Sequence, residues 1–70
     1  MRIKVTNPDL VRDLRAYLRQ AECIVAQTDE TTLEAYPRSP LEPDRARQEL
    51  AAHLIDWQRV HPMAAAYLLD

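Results

Sequence analysis

The sequence predicts an α+β fold of order β-α-β-β-α-β, an antiparallel four-stranded sheet with two helices on one face. Three observations carry that prediction. Apolar residues alternate with polar ones, or give way to β-branched ones, in MRIKV, CIVAQ and TLEAY. They recur at helical spacing across residues 10–21 and again across 46–60. Pro62 then interrupts the second helical stretch just before MAAAYLLD.

In MRIKV, Ile3 and Val5 share one face and Arg2 and Lys4 the other, the pattern of a half-buried strand. Asn7-Pro8-Asp9 reads as a helix start. Asn7 suits the cap, Pro8 the first helical position, and Asp9 the positive end of the dipole. Leu10, Leu14, Tyr17, Leu18 and Ala21 follow as one apolar stripe, opposite Arg12, Arg15 and Arg19. CIVAQ ends the helix by switching to strand-forming residues, so the exit falls near Ala21-Glu22. Glu22 occupies the place where glycine commonly closes a helix, which predicts some strain.

TDET separates CIVAQ from TLEAY and predicts a hairpin. Without Asn-Gly, a type I turn of three to five residues is expected there. YPRSPLEP carries three prolines and is a loop. Ser39-Pro40-Leu41-Glu42 has the form of a capping box, but Pro43 then lacks a needed donor, so the second helix should start at Glu42 or Asp44. Ala46, Leu50, His53, Leu54, Trp57 and Val60 form its apolar face; Arg45, Gln48, Asp56 and Arg59 lie opposite.

Pro62 clashes with the Gln58 carbonyl of a continuing helix, at about 3 kcal/mol, and drives His61 out of the α region. Three alanines would permit a kink and more helix. A closing strand is preferred, because a late helix would leave Tyr67, Leu68 and Leu69 little to pack on. The result is the split βαβ arrangement of ferredoxin-like domains, with two right-handed crossovers placing both helices on one side.

Composition narrows the function. Seventy residues make a single domain, residues 1–70, that buries only about 60% of its unfolded surface. The only cysteine is Cys23, and no apolar run approaches the roughly 20 residues that span a bilayer. One thiol and no leader-like segment predict a soluble protein in a reducing, cytoplasmic setting. Average usage predicts about five glycines in such a chain, and it has none. Glycine-rich phosphate cradles of the Walker and dinucleotide types are therefore excluded. In residues 1–20, five basic residues face two acids; in residues 21–70, four arginines face nine acids. That asymmetry suits a charged or self-complementary protein partner rather than nucleic acid.

No catalytic, cofactor or metal site emerges from the chemistry-bearing residues. Cys23 follows a helix C-terminus, which disfavours a thiolate, and reads as a small buried hydrophobe. His53 and His61 stand about 12 Å apart along one helix and about 80° around it, so they cannot share a metal. His61 suits the C-terminal end of the helix dipole, and Trp57 reads as core. Ser39 is flanked by prolines and makes no nucleophile. Asp9–Arg12 and Arg19–Glu22 have spacing for surface ion pairs of about 0.2–0.5 kcal/mol.

Arg2 and Lys4 point to the sheet face that the helices leave bare. An RNA-recognition sheet would need stacking aromatics there; the chain has no Phe, the first strand offers no aromatic, and the third supplies at most Tyr36 with Glu34 beside it. The remaining candidates form a protein-contact surface: Arg2, Lys4, Tyr36, Ile55 and Tyr67. Either Tyr67 or Leu68 faces outward, depending on register.

The strings I-K-V-x-N-P-D-L-V-x-D-L, C-I-V, T-L-E and W-x-x-x-H-P, taken together, resemble short uncharacterised βαββα(β) proteins of GC-rich bacteria. Eight arginines among nine basic residues agree with such a genome. The resemblance implies a compact domain of this element order and supplies no activity, ligand or catalytic residue. The expected function is a small non-enzymatic protein-interaction domain, with a second copy as one possible partner and no membrane. The alternative is a small-molecule-binding regulatory domain, by analogy of fold. RNA or DNA binding and thiol-dependent catalysis rank behind both.

Overall fold

The structure, a computed structural model, describes residues 1–40 and 42–69. Leu41, the third residue of the expected capping box, and Asp70 lie outside the described residues.

Strand β1 (Arg2–Val5) buries Ile3 and Val5 completely and turns Arg2 and Lys4 away. Asn7 accepts a hydrogen bond from the Asp9 amide and opens a 3-10 turn over Pro8–Leu10, which leads into helix α1 (Val11–Gln20). Leu14 and Leu18 of the expected stripe are buried, and so is Val11. Val11, Leu14 and Leu18 share one face at i, i+3 and i+7 of the helix.

The exit of α1 is strained as the sequence implied. Glu22 takes φ 65°, the left-handed region, and no other non-glycine residue among those described has a positive φ. Its carbonyl accepts from the Arg38 amide at 2.9 Å, which starts the pairing of the next two strands. Its carboxylate meets Arg38 at 3.5 Å, not Arg19, because the left-handed turn points it off the helix.

Strands β2 (Cys23–Asp29) and β3 (Thr32–Pro37) extend further than expected, and Glu30-Thr31 alone joins them. The expected turn of three to five residues is thus corrected to two. Asp29 pairs with Thr32, and the register shifts between Gln27 and Asp29, so Thr28 is an extra residue in a bulge. A two-residue turn without positive φ does not match the twist of its strands, and the bulge supplies the missing twist. The turn is fixed by Asp29 Oδ1, which accepts from the Thr31 amide at 2.9 Å, and by Lys4 Nζ, which donates to Thr31 Oγ1 at 2.6 Å.

Helix α2 (Pro43–Val60) has Glu42 as its cap residue without a side-chain cap, consistent with a start displaced by Pro43. Ala46, Leu50, Leu54 and Trp57 are buried. Val60, expected on the same face, is 70% exposed. It is the last helical residue, two before Pro62. Residues beyond Pro62 return as strand β4 (Ala66–Leu68).

The sheet order is β2-β3-β1-β4, and every neighbouring pair is antiparallel. Strand side chains Ile3, Val5, Val25, Leu33, Ala35 and Ala66 join Leu14, Leu18, Leu50, Leu54 and Trp57 in one core. Both helices therefore cover the same sheet face. Trp57 is fully buried there, and replacing it with Ala would cost about 3–5 kcal/mol. That is comparable with the whole stability expected of a chain this size, at about 0.05–0.15 kcal/mol per residue.

Candidate functional site

The bare face of the sheet gathers four of the five surface residues expected from the sequence. Register fixes how they meet. Lys4 stands opposite Tyr67, Arg2 opposite Glu34, and Tyr36 opposite Ile24. Because Lys4 points away from the core, Tyr67 does too, and Leu68 turns inward against the core. Ile24, Tyr36 and Tyr67 are 60%, 52% and 48% exposed. Ile24 was missed by sequence reasoning, although the alternation of CIVAQ around buried Cys23 and Val25 marks it as outward.

Charge on this face is held in place. Glu34 receives the N-terminal ammonium at 3.2 Å, the Tyr36 hydroxyl at 3.1 Å and Arg2 at 3.7 Å. The ammonium's hydrogen bond is the main reason its carboxyl is held below the usual range. The fifth residue, Ile55, does not belong to this face. It lies on α2 and lines a groove of about 320 Å³ with Leu54, Ala66 and Tyr67, at the rim where α2 overlies β4.

A second constellation ties α1 to α2. Trp57 Nε1–H donates to Asp13 Oδ2 at 2.9 Å, and His61 Nε2 meets the same oxygen at 2.9 Å. His61 Nδ1 lies 3.0 Å from the Trp57 carbonyl oxygen. The two rings stack, with centroids 4.5 Å apart and planes 22° apart. Carbonyl and carboxylate oxygens only accept, so each ring nitrogen of His61 faces an acceptor. Sequence reasoning read Trp57 as core and His61 as a helix stop. Both readings hold, and the shared Asp13 adds an inter-helix clamp. A buried indole needs an acceptor, which was the available signal; that Asp13 supplies it depends on how the helices pack.

This clamp borders a cleft of about 320 Å³ lined by Asp13, Ala16, Tyr17, Gln20, Trp57 and His61. Each nitrogen of His61 lies within hydrogen-bond distance of a protein oxygen. His53 instead meets the edge of Tyr17, with centroids 6.5 Å apart. Cys23 is buried, and burial, followed by the charge of Glu49, raises its pKa. Among the described residues, no group of three or more His, Cys, Asp or Glu side chains is placed to hold a metal.

A larger cleft, about 410 Å³, opens between the first turns of α2 and the end of the sheet, lined by Met1, Tyr36, Pro43, Asp44, Ala46 and Arg47. No described helix is long and apolar enough to cross a membrane. Compared with family models, curated proteins and solved structures, the chain matches none.

Proposed function

We propose that this is a small non-enzymatic domain that works by protein contact through the bare face of its sheet. The observation that carries the reading is the exposed Ile24–Tyr36 pair, with Tyr67 on the same face beyond Arg2, Glu34 and Lys4. An antiparallel sheet tolerates one solvated face, but that face is then usually polar. Large side chains with few rotamers, ringed by charge, are what protein interfaces use as anchors.

The fold assignment within this proposal is ferredoxin-like. Its support is that each crossover, β1-α1-β2 and β3-α2-β4, returns parallel to its start with one strand between. A cytoplasmic setting is supported by the single, buried thiol. Kinship with the short proteins of GC-rich bacteria rests on the sequence strings alone.

The test is a photo-crosslinking residue placed at position 24 in one chain and at exposed position 52 of α2 in another, both expressed in the source cell. A defined protein adduct from position 24 and none from position 52 is expected. Equal patterns from both, or none from position 24, would contradict the reading.

Small-molecule binding is the second reading, favoured by the cleft of about 410 Å³ at the start of α2. Its polar lining groups, Asp44 and Arg47, are exposed, so they offer little of the fixed polar recognition that such sites use. A metabolite titration that shifts the Asp44 and Arg47 amide resonances, and leaves that of Ile24 in place, would favour it.

A further inference from the structure

The two edges of the sheet are treated differently. At one edge, β4 is three residues long, and one of its outward carbonyls, that of Ala66, accepts from Gln58 Nε2 of α2 at 3.0 Å. At the other edge, β2 runs for seven residues with no Lys, no Pro and no charge before Asp29. The hydrogen-bond phase follows from the Arg38 amide donating to the Glu22 carbonyl. Residues 24 and 26 bond to β3, so Cys23, Val25 and Gln27 turn their backbone N–H and C=O groups outward. No hydrogen bond within the chain meets these groups among the described residues. Edges are ordinarily shortened, charged or covered, and this chain does so at β4 only.

We propose that β2 pairs antiparallel with β2 of a second copy, about a two-fold axis through Val25, joining two sheets into one. This rests on the protein-contact reading and names one partner for it. The register is set by the outward groups. With Val25 opposite Val25 of the second copy, Cys23 lies opposite Gln27 and Gln27 opposite Cys23. All three outward residues then sit in pairs that exchange two bonds each. Ile24 falls beside Ala26 of the second copy on the bare face, so the contact surface of one copy continues into the other.

Charge agrees with a second copy as the occupant. Antiparallel pairing brings the acidic hairpin tip, Asp29 and Glu30, toward the last turn of α1, where Arg19 is exposed. Arg19 has no ion pair among the described residues. The same match is made twice about the axis, as an isologous interface requires.

Sedimentation velocity from micromolar to millimolar concentration tests this, using the unaltered chain, Gln27→Ala and Gln27→Pro. The proline removes one outward N–H and no bond to β3. A species of twice the 8.1 kDa chain mass is expected for the first two and its loss for the third. Amide hydrogen exchange on the unaltered chain provides a check independent of how the variants fold. Protection at Cys23, Val25 and Gln27 should rise with concentration by more than that at Ile24 and Ala26. Monomer throughout, a dimer unaffected by Gln27→Pro in a folded chain, or concentration-independent exchange at the three outward amides would each overturn the proposal. None of these outcomes bears on adducts formed with other proteins at position 24.

Discussion

Trp57 and His61 stack at 4.5 Å and both bond Asp13 Oδ2, so one carboxylate oxygen on α1 fixes two consecutive turns of α2. His61→Phe keeps an aromatic ring beside the indole and removes both of its polar contacts. Because Asp13 is half exposed, the loss should be modest, about 1 kcal/mol. In urea denaturation, Asp13→Ala and His61→Phe should be non-additive by about 0.5–1 kcal/mol, since they share the interaction. Full additivity would mean that the Asp13–His61 contact contributes nothing.

Glu22 holds a left-handed backbone that glycine would adopt without strain. The left-handed region costs an ordinary residue about 1–2 kcal/mol. Glycine gives back part of that through the entropy of the unfolded chain, about 0.4–1 kcal/mol. Glu22→Gly should therefore stabilise by about 0.5–1 kcal/mol and raise the thermal midpoint by about 2–8 °C. Glu22→Ala, which keeps the strain and loses the exposed Arg38 pair, should bring no gain.

Glu34 and Asp29 both have carboxyl pKa values lowered in the folded state, Glu34 first by the N-terminal ammonium and Asp29 first by the Thr31 amide. A depressed folded pKa contributes stability above the unfolded value, and that stability is lost as pH falls through the folded one. Thermal midpoints should thus decline on the acid side, through and below the ordinary carboxylate range. Glu34→Gln should flatten that limb.

Cys23 is buried with its thiol pKa raised, so the protonated form dominates at neutral pH. Its labelling by a disulfide reagent should track opening of the fold. The rate should be much slower than for a free thiol and should rise with urea in parallel with unfolding. Rapid labelling of the native protein would show that the strand opens locally at the end of α1.

Element order was legible because each boundary carries a local cause. Asn7-Pro8 starts one helix, Pro43 displaces the start of the other, and Pro62 ends it. What the residues could not give is register. The bulge at Thr28 depends on how a glycine-free turn reconciles with strand twist, and that adds up only across both strands. The outward turn of Tyr67 depends on its pairing with Lys4, more than sixty residues earlier. Asp13 looks like any solvated helix residue until α2 is laid beside it. Arg2, Lys4, Tyr36 and Tyr67 were grouped by strand alternation, whereas Ile55 was chosen only for being off the apolar face and sits on the helix layer.

The most direct test of the protein-contact account measures fold and contact in the same variant. Ile24→Ser with Tyr67→Ser removes exposed apolar surface and no core side chain. Denaturation of the isolated chain should change by no more than about 1–2 kcal/mol, the scale of two lost cross-strand contacts. Photo-crosslinking from position 26, on the same face, should lose the adducts with other proteins that the unaltered face gives. Retained adducts in a folded double variant, or outright unfolding, would contradict the account, since these side chains would then serve no contact or would serve the fold itself.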